Sequence, residues 1–244
     1  GKQVGKLKSL RSYWKYCTMY KHLSEFVEKR YKVSDIAFKE LTPAFITDFE
    51  LFLRVEKNHC NNTVWSYMMP FRKIIYMAVN NGLLQRDPFF AYSITKEETK
   101  RGFLTQEEIT LLINGTFKKK SYELIRDLFI FCTFTGLSWT DMANLTKANL
   151  RTSFDGHLWI DTNRQKTGVE TNIRLLDVAR HIIEKYDGMA ERDKLLPVPC
   201  YANCKNGIKA IAKKCGIESE LDAYPSITLG SEAVSYTHLT LPTT

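Results

Sequence analysis

From Lys6 to about Tyr31, apolar side chains recur at helical spacing: Leu10, Tyr13/Trp14, Cys17, Tyr20, Leu23 and Phe26/Val27. This predicts a first helix, with Lys8, Arg11, Lys15 and Lys21 largely off its apolar stripe. Leu41-Thr-Pro-Ala44 marks the start of a second, with Thr42 as cap and Pro43 in the first turn. Its apolar face is Phe45, Ile46, Phe49, Phe52 and Leu53. Asn61-Asn-Thr63 opens a third, with Val64, Tyr67, Met68, Phe71, Ile74, Ile75 and Ala78 inside and a kink expected at Pro70. Asn80-Asn-Gly82 ends it, and Asp87-Pro88 breaks the chain again. Residues 6–92 therefore predict a compact domain of about four helices.

The pattern then changes. Residues 93–102 are polar and charged, as in a linker between domains. Thr105 and Glu108 form a capping box that opens a second domain, and Tyr122 to Thr133 predicts a buried helix. Gly136 can end that helix by taking positive φ. Thr140 or Asp141 is then placed to cap a new helix, with Met142, Ala143 and Leu145 inward. Gly156–Asp161 and Thr171–Leu175 alternate in polarity around the turn Arg164-Gln-Lys-Thr-Gly168, a β-meander signal. Asp177–Tyr186 returns to helical period, with Val178, Ile182 and Ile183 inside and His181 as a capping or packing residue. A last helix closes on Gly216-Ile217. The whole is mainly α with a small β-hairpin or meander.

Charge sharpens this division. The 244 residues carry a net charge of +8. Residues 1–102 hold 18 Lys and Arg against 10 Asp and Glu, whereas residues 103–244 hold 17 of each. A basic module joined to a neutral one suggests an anionic polymer bound mainly by the first. Hydrophobic content of 44% supports real cores and excludes a disordered chain. No apolar run approaches a membrane span and no signal peptide opens the sequence, while Gly1-Lys-Gln-Val reads as an interior start. Cys17, Cys60 and Cys132 fall in helical patterns as buried thiols. Cys200, Cys204 and Cys215 lack the paired spacing of a structural zinc site, so no metal is expected. A reducing cytoplasm fits this cysteine usage best.

Two stretches carry candidate chemistry. In Thr135-Gly-Leu-Ser-Trp-Thr-Asp-Met-Ala-Asn-Leu145, a glycine turn places Ser138 at a tight corner beside a helix N-terminus, where backbone N–H groups suit a phosphate. The local pattern by itself favours a plain helix-to-helix corner with no chemistry. In Arg164-Gln-Lys-Thr-Gly168 a lysine sits at a hairpin turn, as it also does on many ordinary surfaces.

The first stretch resembles the box that opens the catalytic core of the tyrosine recombinases, the phage-integrase family. The family pattern there is Thr-Gly-Leu-Arg, then an acidic residue and leucine, and Ser138 stands where the first catalytic arginine belongs. Lys166-Thr-Gly168 resembles the family's β-hairpin lysine, which protonates the leaving 5′ oxygen. Asn81-Gly-Leu-Leu-Gln-Arg-Asp-Pro-Phe89 is similar to the close of the family's helical core-binding domain. The resemblance covers roughly residues 6–217. It implies a core-binding (SAM-like) domain over 6–92, a linker over 93–102 and a partial α+β catalytic domain over 103–221. By this resemblance Lys166 and Ser138 are the catalytic candidates. Asn62, Thr63, Arg72, Lys73, Arg101 and Arg164 are the candidate DNA contacts.

The family's reaction is a transesterification. A tyrosine attacks the scissile phosphate, leaving a 3′-phosphotyrosyl bond, and arginines neutralise the phosphate oxygens without a metal or other cofactor. The second catalytic motif, His-x-x-Arg, does not occur at His22, His59, His157, His181 or His238. Residues 222–244 resemble an unrelated, artefactual tail, and Tyr236 lacks the partners of a nucleophile. The expectation is thus a C-terminally truncated, inactive recombinase fragment. Its partners would be double-stranded DNA and, on that DNA, further copies of itself, with no membrane and no small-molecule substrate. The alternatives are a non-catalytic DNA-binding module or decoy, and a helical interaction protein with no nucleic-acid role.

Overall fold

The computed structural model describes residues 10–98, 104–154 and 156–217. The chain divides into two units, residues 1–99 and 100–244, each with its own core.

Unit 1 packs three helices against one another: α1 (Leu10–Tyr31), α2 (Pro43–Val55) and α3 (Asn61–Asn80). Thr42 caps α2, its hydroxyl accepting the Phe45 N–H at 3.2 Å, so the Thr-Pro start does what its chemistry allows. All five residues of the α2 stripe are buried. Rings dominate this core. Phe26 lies 5.2–5.5 Å from Phe45, Phe49 and Phe52, and Phe71 contacts Phe49 and Phe89.

Several expectations shift. The fourth helix is not formed among the described residues. Phe38–Glu40 is a short 3-10 turn, and residues 83–92 are held by turns with Phe89 as a fully buried anchor. Helix α3 runs on through Pro70, where a kink is expected. Leu10, Trp14, Tyr20 and Ile74 were expected inside but are exposed, because the packed stripe of each helix is narrower than its apolar periodicity. Cys60 is exposed at the N-cap of α3, and Cys17 is half-buried; of these three thiols only Cys132 is in a core.

Unit 2 opens with α4 (Gln106–Asn114), where Thr105 and Glu108 exchange the two hydrogen bonds of a capping box. Helix α5 (Lys120–Thr135) runs through the middle of the unit, packed on α4, α7 (Asp177–Lys185) and α8 (Tyr201–Lys214). Gly207 permits the close approach of α8, since a Cβ there would lie 2.5 Å from the Ile125 Cδ1. Between α5 and α7 come the six-residue α6 (Trp139–Asn144) and a three-stranded antiparallel meander: β1 (Leu150–Thr152), β2 (Leu158–Asn163) and β3 (Glu170–Arg174). Strand β1 pairs Leu150 with Ile160 and Thr152 with Leu158, completing the sheet that the alternation outlined. Among the described residues the molecule is mainly helical with one small sheet.

An ion network crosses unit 2. Arg126, on α5, donates through Nη1 to the carbonyls of Leu112, Ile113 and Gly115, closing the C-terminal end of α4. Its Nε pairs with Asp127, whose other oxygen accepts from Lys185 Nζ and Tyr186 OH, each at 2.8 Å. Lys185 also reaches Glu123. These charge-assisted bonds hold the lysine protonated well above the ordinary range against the burial that would neutralise it, and burial together with Asp127 pushes the Tyr186 hydroxyl up to about 12. Among the described residues no helix is long and apolar enough to cross a membrane.

Candidate functional site

The corner after α5 is built by four consecutive residues. Thr135 is buried and bonds back to the Phe131 carbonyl at 2.7 Å. Gly136 takes φ +68°, a left-handed conformation that costs glycine little, and caps α5. Leu137 is fully buried and pins the turn to the core. Ser138 then caps α6, accepting the Asp141 N–H at 3.2 Å. The cap is therefore Ser138 and not Thr140 or Asp141. The Ser-x-x-Asp spacing that produces it was readable in the sequence. In the six-residue α6 the Asp141 and Met142 N–H groups are already taken by Ser138.

Asp141 joins this corner to the hairpin. One carboxylate oxygen accepts the Ser138 hydroxyl at 2.8 Å, and the other accepts the backbone N–H of Gln165 at 3.0 Å. The residue is 9% exposed, so the charge is held largely out of water by donors on two separate elements. Gln165 is in the turn joining β2 to β3, which closes with Gly168 N–H to Arg164 O at 2.7 Å and Gly168 at φ +69°. Lys166 is exposed in that turn, with Arg164 and Lys166 flanking the tethered amide. The structure thus brings Ser138, Asp141 and the Arg164–Lys166 hairpin together. Beside them, Trp139 packs edge-on to Tyr201, with centroids 5.6 Å apart.

The remaining candidates lie in unit 1 or outside the described residues. Arg72 lies over the Phe89 ring at 5.9 Å, and Arg72 and Lys73 line a shallow depression with Met69, Tyr76 and Asp87. Thr63 is engaged locally, its hydroxyl 3.2 Å from Cys60 Sγ. Asn62 uses both ends of its amide on the backbone of Glu97, a role the sequence did not suggest. Arg101 and the tail, including Tyr236, lie outside the described residues. Among the described residues no group of three or more His, Cys, Asp or Glu could hold a metal ion. Cys204 is buried while Cys200 is exposed.

Comparison with known proteins fits this geometry. Residues 2–94 match the family described as phage integrase SAM-like domain. No curated protein sequence matches the chain. Among solved structures, a lambda integrase dimer bound to a COC′ core site superposes with TM-score 0.62 at 14% identity, covering 86% of this chain and 76% of that one. XerH bound to difH substrate gives 0.63 at 14%, with 86% and 64% covered. The Tn1549 transposon integrase in complex with a circular intermediate DNA gives 0.64 at 12%, with 93% and 79% covered. Against another lambda integrase chain, the present one spans 60% of the length. At such identities the likeness is one of fold. Residues 2–94 thus match a phage integrase SAM-like domain, and the chain shares its fold with these solved integrases and recombinases.

Proposed function

We propose that this chain is part of a site-specific DNA recombinase or integrase, whose parent cuts and rejoins duplex DNA through a 3′-phosphotyrosyl intermediate in the bacterial cytoplasm, assembled with further copies of itself. The observation that carries this reading is the Asp141 bridge, which ties the Ser138 corner to the turn bearing Lys166. In this reading Lys166 protonates the departing 5′ oxygen, because an alkoxide leaves poorly without an acid. Arg164 and Ser138 face the phosphate, the serine presenting a neutral hydroxyl whose one proton must leave Asp141 to reach it, where a guanidinium would offer a charged fork. Arg72, Lys73 and Arg101 contact the DNA backbone, with the N-terminal end of α3 around Asn62 and Thr63 shaping that face. The basic excess before Gly102 supplies most of the affinity.

A second reading, a DNA-binding module that does not cut, draws support from Ser138 and from the absence of His-x-x-Arg in the 244 residues. It is the one we favour for residues 1–244 taken alone. The test is duplex binding followed by a nicked suicide substrate carrying the parent element's crossover site. Binding should fall by about a thousandfold between roughly 50 and 200 mM salt if six or more phosphates are engaged. No covalent protein–DNA band should form. A parent chain carrying a tyrosine nucleophile should give the band, and Lys166→Ala should slow it by about 100-fold or more. Salt-independent binding, or none, would sink the DNA reading; a band that vanishes on Tyr236→Phe would sink the non-cutting one.

A further inference from the structure

Unit 1 does not release the chain at Tyr92. Tyr92 and Ile94 pack on its core. Asn61 Nδ2 donates to the Thr95 carbonyl at 2.9 Å. Asn62 Nδ2 donates to the Glu97 carbonyl at 3.0 Å, and its Oδ1 accepts the Glu97 N–H at 2.9 Å. Lys96 Nζ lies 6.0 Å from the centroid of Trp65, one turn further along α3. Two adjacent asparagines and a tryptophan therefore hold three consecutive residues of an extended segment. The Asn62 amide pairs with both the N–H and the carbonyl of one residue, as a neighbouring strand would. Such two-point pairing fixes register as well as position, which a single bond does not.

We infer that Asn61 and Asn62 are positioning residues that clamp the interdomain connection to α3, so that unit 1 holds the chain through Glu97. The clamp spends the Asn62 side chain, so a DNA strand that took this amide would have to release Glu97. The connection between two binding modules sets how strongly engagement by one favours engagement by the other. Lengthening the free connection by releasing residues 94–97 would weaken that coupling.

The test is amide hydrogen exchange on the full chain, without DNA, so its failure is separate from any failure of the recombinase reading. The Glu97 amide should be protected in the wild type. In the Asn61→Ala/Asn62→Ala double variant it should exchange at least tenfold faster, and trypsin should cut after Lys96 sooner, while the Phe71 and Ile75 amides of α3 keep their protection. If the double variant fails to fold, Asn62→Asp carries the test. It keeps the acceptor for the Glu97 N–H and loses the donor to the Glu97 carbonyl, so Glu97 should exchange at an intermediate rate with α3 unchanged. Unchanged Glu97 protection in a folded double variant, or Asn62→Asp indistinguishable from wild type, would overturn the clamp.

Discussion

Phe26, Phe45, Phe49, Phe52, Phe71 and Phe89 make the core of unit 1 an aromatic one, ring against ring, whereas the core of unit 2 is mainly aliphatic and is crossed by a network of charges. Arg126 is 8% exposed and Asp127 is 5% exposed, and together they connect the end of α4, the middle of α5 and the end of α7. The first kind of core draws its stability from apolar area and edge-to-face contact, which change little with salt or pH. The second depends on every charge keeping its partner, because an uncompensated buried ion costs more than the pair contributes. The difference suits what each unit is proposed to do. A basic binding unit has its charges on the surface, while the unit that holds the hairpin lysine fixes its helices by directional bonds.

Truncating one side chain in each unit exposes this contrast most strongly. Phe49 is fully buried and touches Phe26, Phe52 and Phe71, so Phe49→Ala should cost about 3–5 kcal/mol through lost area and the cavity left behind. Asp127→Asn preserves volume but leaves Arg126 without its counter-charge. It should cost about 3 kcal/mol, at the low end for a broken buried pair because Lys185 keeps Glu123. Urea titrations followed by hydrogen exchange would place each loss in its own unit. If Asp127→Asn were as stable as wild type, the network would be decoration and the contrast would fail.

How much of this was visible in the sequence depends on the range over which each signal acts. The α2 stripe and its Thr-Pro start were legible because cap, proline and period lie within a few residues and agree. The hairpin turn was legible from Lys-Thr-Gly and the flanking alternation. Overreach came where periodicity alone decided, as with Trp14 and Tyr20, since an apolar spacing does not say which neighbour will cover it. The Asp141 bridge was not legible because its acceptor meets a backbone N–H, a group every residue but proline carries. The Asn62 clamp spans 35 positions, and nothing in either stretch marks the other.

At alkaline pH the contrast should narrow, because each unit holds a shielded tyrosine. Burial raises Tyr92 far above the ordinary range, and burial with Asp127 raises Tyr186 to about 12. A hydroxyl whose folded value is raised contributes stability that is complete below the unfolded value of 10 and is lost as pH climbs from there. Both units should therefore weaken above about pH 10. Tyr186→Phe should flatten the loss in unit 2 only in part, because Lys185 is also held above its ordinary value by Asp127 and Glu123 and loses that advantage in the same range. A unit 2 that melts equally at about pH 9 and about pH 12, by exchange or fluorescence, would show that the hydroxyl is not held as described.

The smallest effect lies on the acid side and should appear in unit 1 alone. His22, His59 and Tyr67 meet with ring centroids 5.1–5.6 Å apart, joining α1 to the start of α3. His22 Nδ1 and His59 Nε2 are buried with no hydrogen-bond partner among the described residues. A proton added to His22 would be poorly solvated and would face His59, Lys57 and Lys21, with only Glu25 opposing, and Glu25 is already paired to Lys57. Burial, then His59 and Lys57, accordingly lower His22 below its ordinary value of 6.5. The unfolded chain then takes up a proton that the folded unit refuses, so stability is complete above 6.5 and declines as pH falls through that value toward the lowered one. In unit 2 the carboxylates Glu107 and Asp187 are lowered by hydrogen bonds, and their contribution is lost only below their unfolded values of 4.5 and 3.8. Between about pH 6.5 and pH 5 the denaturation midpoint of unit 1 should thus fall while that of unit 2 holds. His22→Leu should remove that slope. A slope that survives the substitution would move the titrating group elsewhere, and equal slopes in both units would erase the asymmetry that the half-buried ring cluster creates.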